Sequence, residues 1–259
     1  MTAKRQKYPQ HKIERVRLLT HVEPKNLSQE LYLEALREST LTIGLGSAGS
    51  GKTFLAVYAA LEKLFNKEVK KIVITRPIVE AGEELGFLPG TFEEKVAPYL
   101  VPIVDSLEDL IGVAMTKKLM DEKIIEVIPL AYMRGRSLRD CVAILDESQN
   151  CTIEQVKMFV TRIGEDSMFI VNGDPLQSDL HLRPGAESGL NWLARKLTGV
   201  DSSVSVIKFS RSDVVRSAAL AMLLPHLESP DVRKTELVQD FMESRSLRCA
   251  GERVGISMN

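Results

Sequence analysis

Gly46-Ser47-Ala48-Gly49-Ser50-Gly51-Lys52-Thr53 has the spacing G-x-x-x-x-G-K-T. Residues of these types at this spacing cradle the phosphates of a nucleotide. The glycines let successive backbone N–H groups turn inward around the β- and γ-phosphates. Lys52 supplies positive charge to the phosphate oxygens, and the Thr53 hydroxyl helps hold Mg²⁺. A helix opening near Lys52 adds the positive end of its dipole. A glycine-rich connection without a ligand is the competing reading, and context opposes it. "LTIGLG" before the loop reads as a strand and "FLAVYAALEKLF" after it as a helix, which is the setting the motif requires.

A second constellation lies in "CVAILDESQN". Four apolar residues, Val142 to Leu145, run into Asp146 and Glu147. Acids at the C-terminal end of such a strand face the crevice where α/β sheets bind ligands. Asp146 takes the Mg²⁺ side, partly through water, which leaves Glu147 to polarise an attacking water. A phosphotransferase has to exclude water, so a base beside the metal acid suits hydrolysis. The plain alternative is a solvent-facing acid pair. "SMFIVNGDPLQSDL" repeats the design: a strand ends in Asn172-Gly173-Asp174-Pro175, with Gln177 close behind. A polar amide there can touch the γ-phosphate or the water, and a simple Gly-Asp-Pro turn competes evenly with that role.

These groups need a sheet to hold them. Apolar β-rich runs at 40–46, 70–77, 123–130, 141–147, 167–174 and 204–210 alternate with helical stretches at 28–37, 53–65, 98–111, 113–121, 153–163, 186–197 and 212–224. The alternation predicts an α/β fold with a mainly parallel sheet flanked by helices. Three parts are expected: a basic arm over 1–25, a phosphate-loop domain over 26–225, and a tail over 226–259 with one surface helix near 231–245. The loop after "ITRP" is long and irregular, which more often marks a functional loop than an idle one.

The 259 residues, 44% of them hydrophobic, suffice for a real core. No apolar run approaches the ~18 residues that cross a bilayer, and the basic start has no apolar core of a secretory signal, so a cytoplasmic location without membrane contact is expected. The cysteines Cys141, Cys151 and Cys249 are sparse and odd in number, which predicts reduced thiols; Cys141 should pack at the start of its strand. Four scattered histidines predict no structural zinc. The net charge of −1 gives no global pull on nucleic acid. The first 25 residues do carry seven basic residues against two acidic ones, which attract phosphates or are simply a solvated terminus.

Together, "GSAGSGKT", "ITRPIVEAGEELGFLPG", "YMRGRSL", "AILDESQN", "NGDPLQSDL" and "FSRSDVVRS" stand in the order seen in PhoH-like ATPases, which resemble the N-terminal motor domain of superfamily 1 helicases. The resemblance spans roughly 22–224. It implies a single RecA-like domain and ATP as the nucleotide. "PKNLSQELYLEAL" resembles the adenine-contacting motif, with Gln29 as the amide reader; Ser28 as the cap of an ordinary helix is a compatible alternative. Ser50 stands where the family usually has Thr, and Ser148 where it has Ala, both small for small. Ser217 stands where the family often has His, so any role of that His is absent. No nuclease activity carries over.

A single lobe lacks the arginine that a second lobe offers to ATP. The resemblance therefore implies a homo-oligomer, a hexameric ring, with an arginine worth about 10³–10⁵ in rate supplied between subunits. Arg216 matches the family motif best, and Arg211 is the other candidate; either residue could instead be a salt-bridged surface arginine. Arg76, Arg134 and Arg136 are candidates for gripping single-stranded nucleic acid, RNA favoured, with Tyr132 and Phe87 as stacking partners. Pairing with nearby glutamates is their competing reading. The expected activity is ATP hydrolysis coupled to single-stranded RNA or DNA in a helicase-like manner. An ATP-dependent assembly switch recruiting a protein partner is the alternative, and a small-molecule kinase is a distant third.

Overall fold

A computed structural model describes residues 18–78, 92–178, 180 and 186–215, with 92–96 and 211 described by backbone alone. Six strands form one sheet: β1 (Leu41–Leu45), β2 (Lys71–Arg76), β3 (Ile125–Pro129), β4 (Cys141–Leu145), β5 (Met168–Gly173) and β6 (Val204–Lys208). Their order is β3-β2-β4-β5-β1-β6, and every neighbouring pair is parallel. The strands β1, β4 and β5 are buried along their whole length. Central parallel strands covered on both faces read as continuous apolar runs, which is how they appear in the sequence.

The helices are α1 (Leu27–Glu38), α2 (Lys52–Phe65), α3 (Phe92–Ile111), α4 (Val113–Asp121), α5 (Ile153–Val160) and α6 (Gly189–Leu197). Side chains of α1 to α4 pack with Ile72, Ile74, Val142, Ile144 and Ile170 on one face. Those of α5 and α6 pack with Ile43, Val73, Ala143, Leu145 and Val171 on the other. Alternate residues of each strand thus feed opposite cores, as the two-residue period of a strand dictates. Phe159 of α5 meets Phe169 of β5 with ring centroids 5.0 Å apart, anchoring the second core.

Several expectations need correction. The helix predicted over 98–111 begins at Phe92 and carries Pro98 and Pro102 inside it. The helix predicted from 186 begins at Gly189, because the Ser188 side chain caps it. Asn26, not Ser28, caps α1 by accepting from the Gln29 N–H, while the Ser28 hydroxyl donates to Asp213. Where a helix was expected from 212, a short 3-10 turn spans Arg211–Asp213 and Val214 is extended. Short 3-10 turns at Leu130–Met133 and Ser148–Asn150 were not anticipated. The basic arm up to residue 17, the loop residue Phe87, and the tail from Arg216 onward lie outside the described residues.

Cys141 opens β4 and is buried and unpaired, as expected, and Cys151 is likewise buried and unpaired. Burial pushes their thiols up to about 11 and about 12. No helix among the described residues is long and apolar enough to cross a membrane.

Candidate nucleotide site

Because every strand runs the same way, the C-terminal ends of β1, β2, β4 and β5 open on one edge of the sheet, where doubly wound folds bind ligands. A cleft of about 270 Å³ lies there, lined by Ala48, Gly49, Gly51, Lys52 and Thr53 from the phosphate loop. Arg76, Asp146, Glu147, Asp174 and Gln177 complete its polar wall.

The loop is shaped by backbone that only glycine adopts freely. Gly49 and Gly51 have φ of 80° and 84°, in the left-handed region that a side chain disfavours. Ser50 donates its hydroxyl to the Ser47 carbonyl at 2.9 Å. The Lys52 ammonium folds back over the loop, donating to Gly46 O at 2.6 Å, Ser47 O at 2.9 Å and Ser50 Oγ at 3.0 Å. Burial holds its pKa below the usual lysine value, against the opposing charges of Asp146, Asp174 and Glu147. Behind the loop, Gln29 is tied at both ends of its amide. Its Nε2 donates to Ser50 O at 3.0 Å, and its Oε1 accepts from the Lys25 N–H at 2.8 Å.

Thr53 donates to Asp146 Oδ1 at 2.8 Å, which brings the two expected metal-side groups together. Burial pushes the Asp146 carboxyl up to about 6, with the neighbouring Glu147 charge adding to the effect. Arg76, Thr53 and Lys52 oppose it. Hydroxyl and carboxylate oxygens are the donors that a hard cation such as Mg²⁺ prefers, so this pair fits that ion.

Glu147 has φ 51° and ψ 38°, a left-handed conformation that costs a non-glycine residue free energy and clusters at functional sites. Its carboxylate is gripped from two sides. Arg76 donates to Oε1 at 2.7 Å, and Gln149 donates to Oε2 at 2.5 Å. The Gln149 Oε1 in turn accepts the Asp174 N–H at 3.1 Å, so one buried amide bridges Glu147 and the turn that follows β5. Gln177 sits on that turn, exposed, and lines the cleft.

Asn172 is buried and does not face the cleft as a free amide. It accepts from the Tyr32 hydroxyl at 2.5 Å and donates to Lys52 O at 3.4 Å, bracing the start of α2 from below. Tyr32 and Gln149 are members of the site that the sequence does not mark, whereas the competing reading of Arg76 as paired with a glutamate is the one the structure shows. Spacing carries no signal for partners this remote, such as the 140 residues that separate Tyr32 from Asn172. Of the three arginines predicted for nucleic acid, Arg76 lies in the cleft on Glu147, and Arg136 pairs at 2.7 Å with Glu126, whose other oxygen pairs with Lys71. Arg134 is exposed on the loop after β3. Arg216 lies outside the described residues, as do the side-chain contacts of Arg211.

Fold and cleft together define a P-loop nucleotide-binding protein built on a single RecA-like α/β core. Residues 21–228 match the family described as PhoH-like protein, and the chain belongs to that family. It is 48% identical over 200 residues to a PhoH-like protein of Bacillus subtilis (strain 168), covering 77% of this chain and 62% of that one. It is 42% identical over 196 residues to Protein PhoH of Escherichia coli (strain K12), covering 75% and 54%. The chain thus spans between half and two thirds of the length of these relatives. Among solved structures, the Pyrococcus furiosus Hef helicase domain aligns with a TM-score of 0.44 at 15% identity, over 84% of this chain and 52% of that one.

Proposed function

We propose that this chain binds ATP with Mg²⁺ and hydrolyses it to ADP and phosphate as a homo-oligomeric ring coupled to single-stranded nucleic acid, RNA favoured. The observation that carries the hydrolytic part is the convergence of Lys52, Thr53, Asp146 and Glu147 on one cleft, with Thr53 and Asp146 2.8 Å apart. Lys52 exchanges its loop carbonyls for phosphate oxygens. Thr53 and Asp146 would hold Mg²⁺, which would supply positive charge to the phosphates when bound. Glu147 takes the proton of the attacking water, whose oxygen forms the new bond to the γ-phosphorus as the bond to ADP breaks. Gln177, on the turn after β5, orients that water or senses the phosphate.

The nucleic-acid part rests on the motif resemblance and on the exposed Arg134, since Arg76 and Arg136 are occupied by Glu147 and Glu126. The ring rests on the same resemblance and on Arg76, already held by Glu147, being the one arginine among the described residues that line the cleft. Steady-state ATP hydrolysis with and without single-stranded RNA tests the reading. Wild type should turn over ATP faster with RNA, and Lys52→Ala should lose about 10²-fold or more of the rate through lost phosphate stabilisation. Hydrolysis that ignores RNA, joined to ATP-dependent assembly, would shift the assignment to an assembly switch.

A further inference from the structure

Arg76 closes β2, and its backbone neighbour Thr75 accepts the Asp146 N–H at 2.9 Å. The end of β2 is thereby locked beside the catalytic acids. The Arg76 guanidinium spans two anchors: one nitrogen donates to Glu147 Oε1 at 2.7 Å and another to the Tyr99 carbonyl of α3 at 3.2 Å. Its side chain is 20% exposed and that of Glu147 36%. Glu147 cannot easily turn away, because its backbone is held left-handed and Gln149 grips its other oxygen. Each oxygen of the Glu147 carboxylate thus already has a donor, Oε1 in a charge-assisted bond roughly twice as strong as a neutral one, so a water approaching Oε1 competes with that donor.

We propose that Arg76 is a positioning residue that restrains Glu147 at rest, and that a backbone phosphate of a bound single strand draws its guanidinium away. This rests on the nucleic-acid-coupled hydrolysis proposed above. The planar fork of arginine bonds carboxylate and phosphate with the same two-pronged geometry, so one anion replaces the other without rebuilding the site. Capture of the strand and release of the base become one exchange at one side chain. No covalent step is added; the guanidinium only changes partner.

The test compares ATP turnover of wild type, Arg76→Gln and Arg76→Lys, each with and without poly(U), alongside poly(U) binding by anisotropy. Loss of restraint should raise the Arg76→Gln rate without poly(U) by roughly fivefold, the scale of one partly exposed ion pair. Its stimulation by poly(U) should fall towards none and its poly(U) affinity should weaken. Arg76→Lys, a point charge that holds fewer partners, should fall between. A merely structural arginine can only lower the rate. A fall in the unstimulated Arg76→Gln rate would overturn the restraint and make Arg76 an arginine that assists hydrolysis. An unchanged stimulation ratio would overturn the exchange. If wild type ignores poly(U) while Arg76→Gln is still faster, the coupling proposed above fails and the strand is overturned as releasing ligand, with the restraint upheld. If wild type hydrolyses no ATP, the guanidinium NMR signals of nucleotide-free protein decide. A shift of the Arg76 signals in Glu147→Gln supports the clamp, and unmoved signals sink it.

Discussion

Asp146 carries a cost that its proposed place beside Mg²⁺ would account for. Its buried carboxyl has a pKa of about 6, against an ordinary value of 3.8. Between those values the folded chain binds more protons than the unfolded one, so stability declines as pH rises through the window and levels off above it. Asp146→Asn removes the buried charge. Without nucleotide or Mg²⁺ the variant should be more stable than wild type at pH 7, by up to about 3 kcal/mol, since each tenfold change in proton affinity is worth ~1.4 kcal/mol. The difference should shrink towards pH 4. Urea midpoints of both proteins across pH 4–7.5 in chelator measure it, and a pH-independent difference would defeat the assignment. Mg²⁺ should narrow the gap by stabilising wild type alone, since a ligand that binds only the folded state adds to stability.

The elements that hold these residues were largely legible in the sequence, because each central strand is a continuous apolar run and each ends in a chemically marked residue. All six predicted strands form, and Lys52 and Thr53 at the start of α2 meet Asp146 and Glu147 just past the end of β4. Pro98, where the predicted helix starts, hid the first turns of α3, since proline ordinarily marks a boundary. The capping hydroxyl of Ser188 moved a helix start by three residues without any change in apolar pattern. Most opaque was the packing between elements. Gly44 reads as an ordinary strand residue, yet a Cβ there would lie 2.6 Å from Asn172 Oδ1 and 3.0 Å from the Tyr32 ring. Its bareness lets Tyr32 reach Asn172, which in turn supports Lys52 O. Gly44→Ala should therefore cost about 1–3 kcal/mol by overpacking, a loss on the order of 5 °C in Tm. Its ATP affinity should fall too, although the substituted residue never touches nucleotide. Thermal unfolding with and without ATP measures both effects, and an unchanged ATP-induced gain in Tm would show that the brace does not reach the phosphate loop.

For the whole molecule the question is what completes the cleft. Arg76 is the one arginine among its described lining residues, and Glu147 already holds it. An arginine brought to the transition state is worth about 10³–10⁵ in rate, so a chain that hydrolyses ATP at useful speed needs another. If Arg216 of one copy serves the cleft of the next, contacts between copies are head to tail, the kind that forms a ring where the rotation between copies closes. Specific activity should then climb with protein concentration. Lys52→Ala and Arg216→Ala should each be nearly inactive alone, one lacking the phosphate lysine and the other the donated arginine. Mixed in equal amounts, they should regain activity, because random assembly pairs an intact Lys52 cleft with an intact Arg216 donor at roughly a quarter of the interfaces. Rescue on mixing, measured as phosphate release at fixed total protein, distinguishes donation between copies from action within one chain. An arginine serving its own cleft leaves every chain in the mixture defective, so a mixture as silent as its components would rule the shared site out.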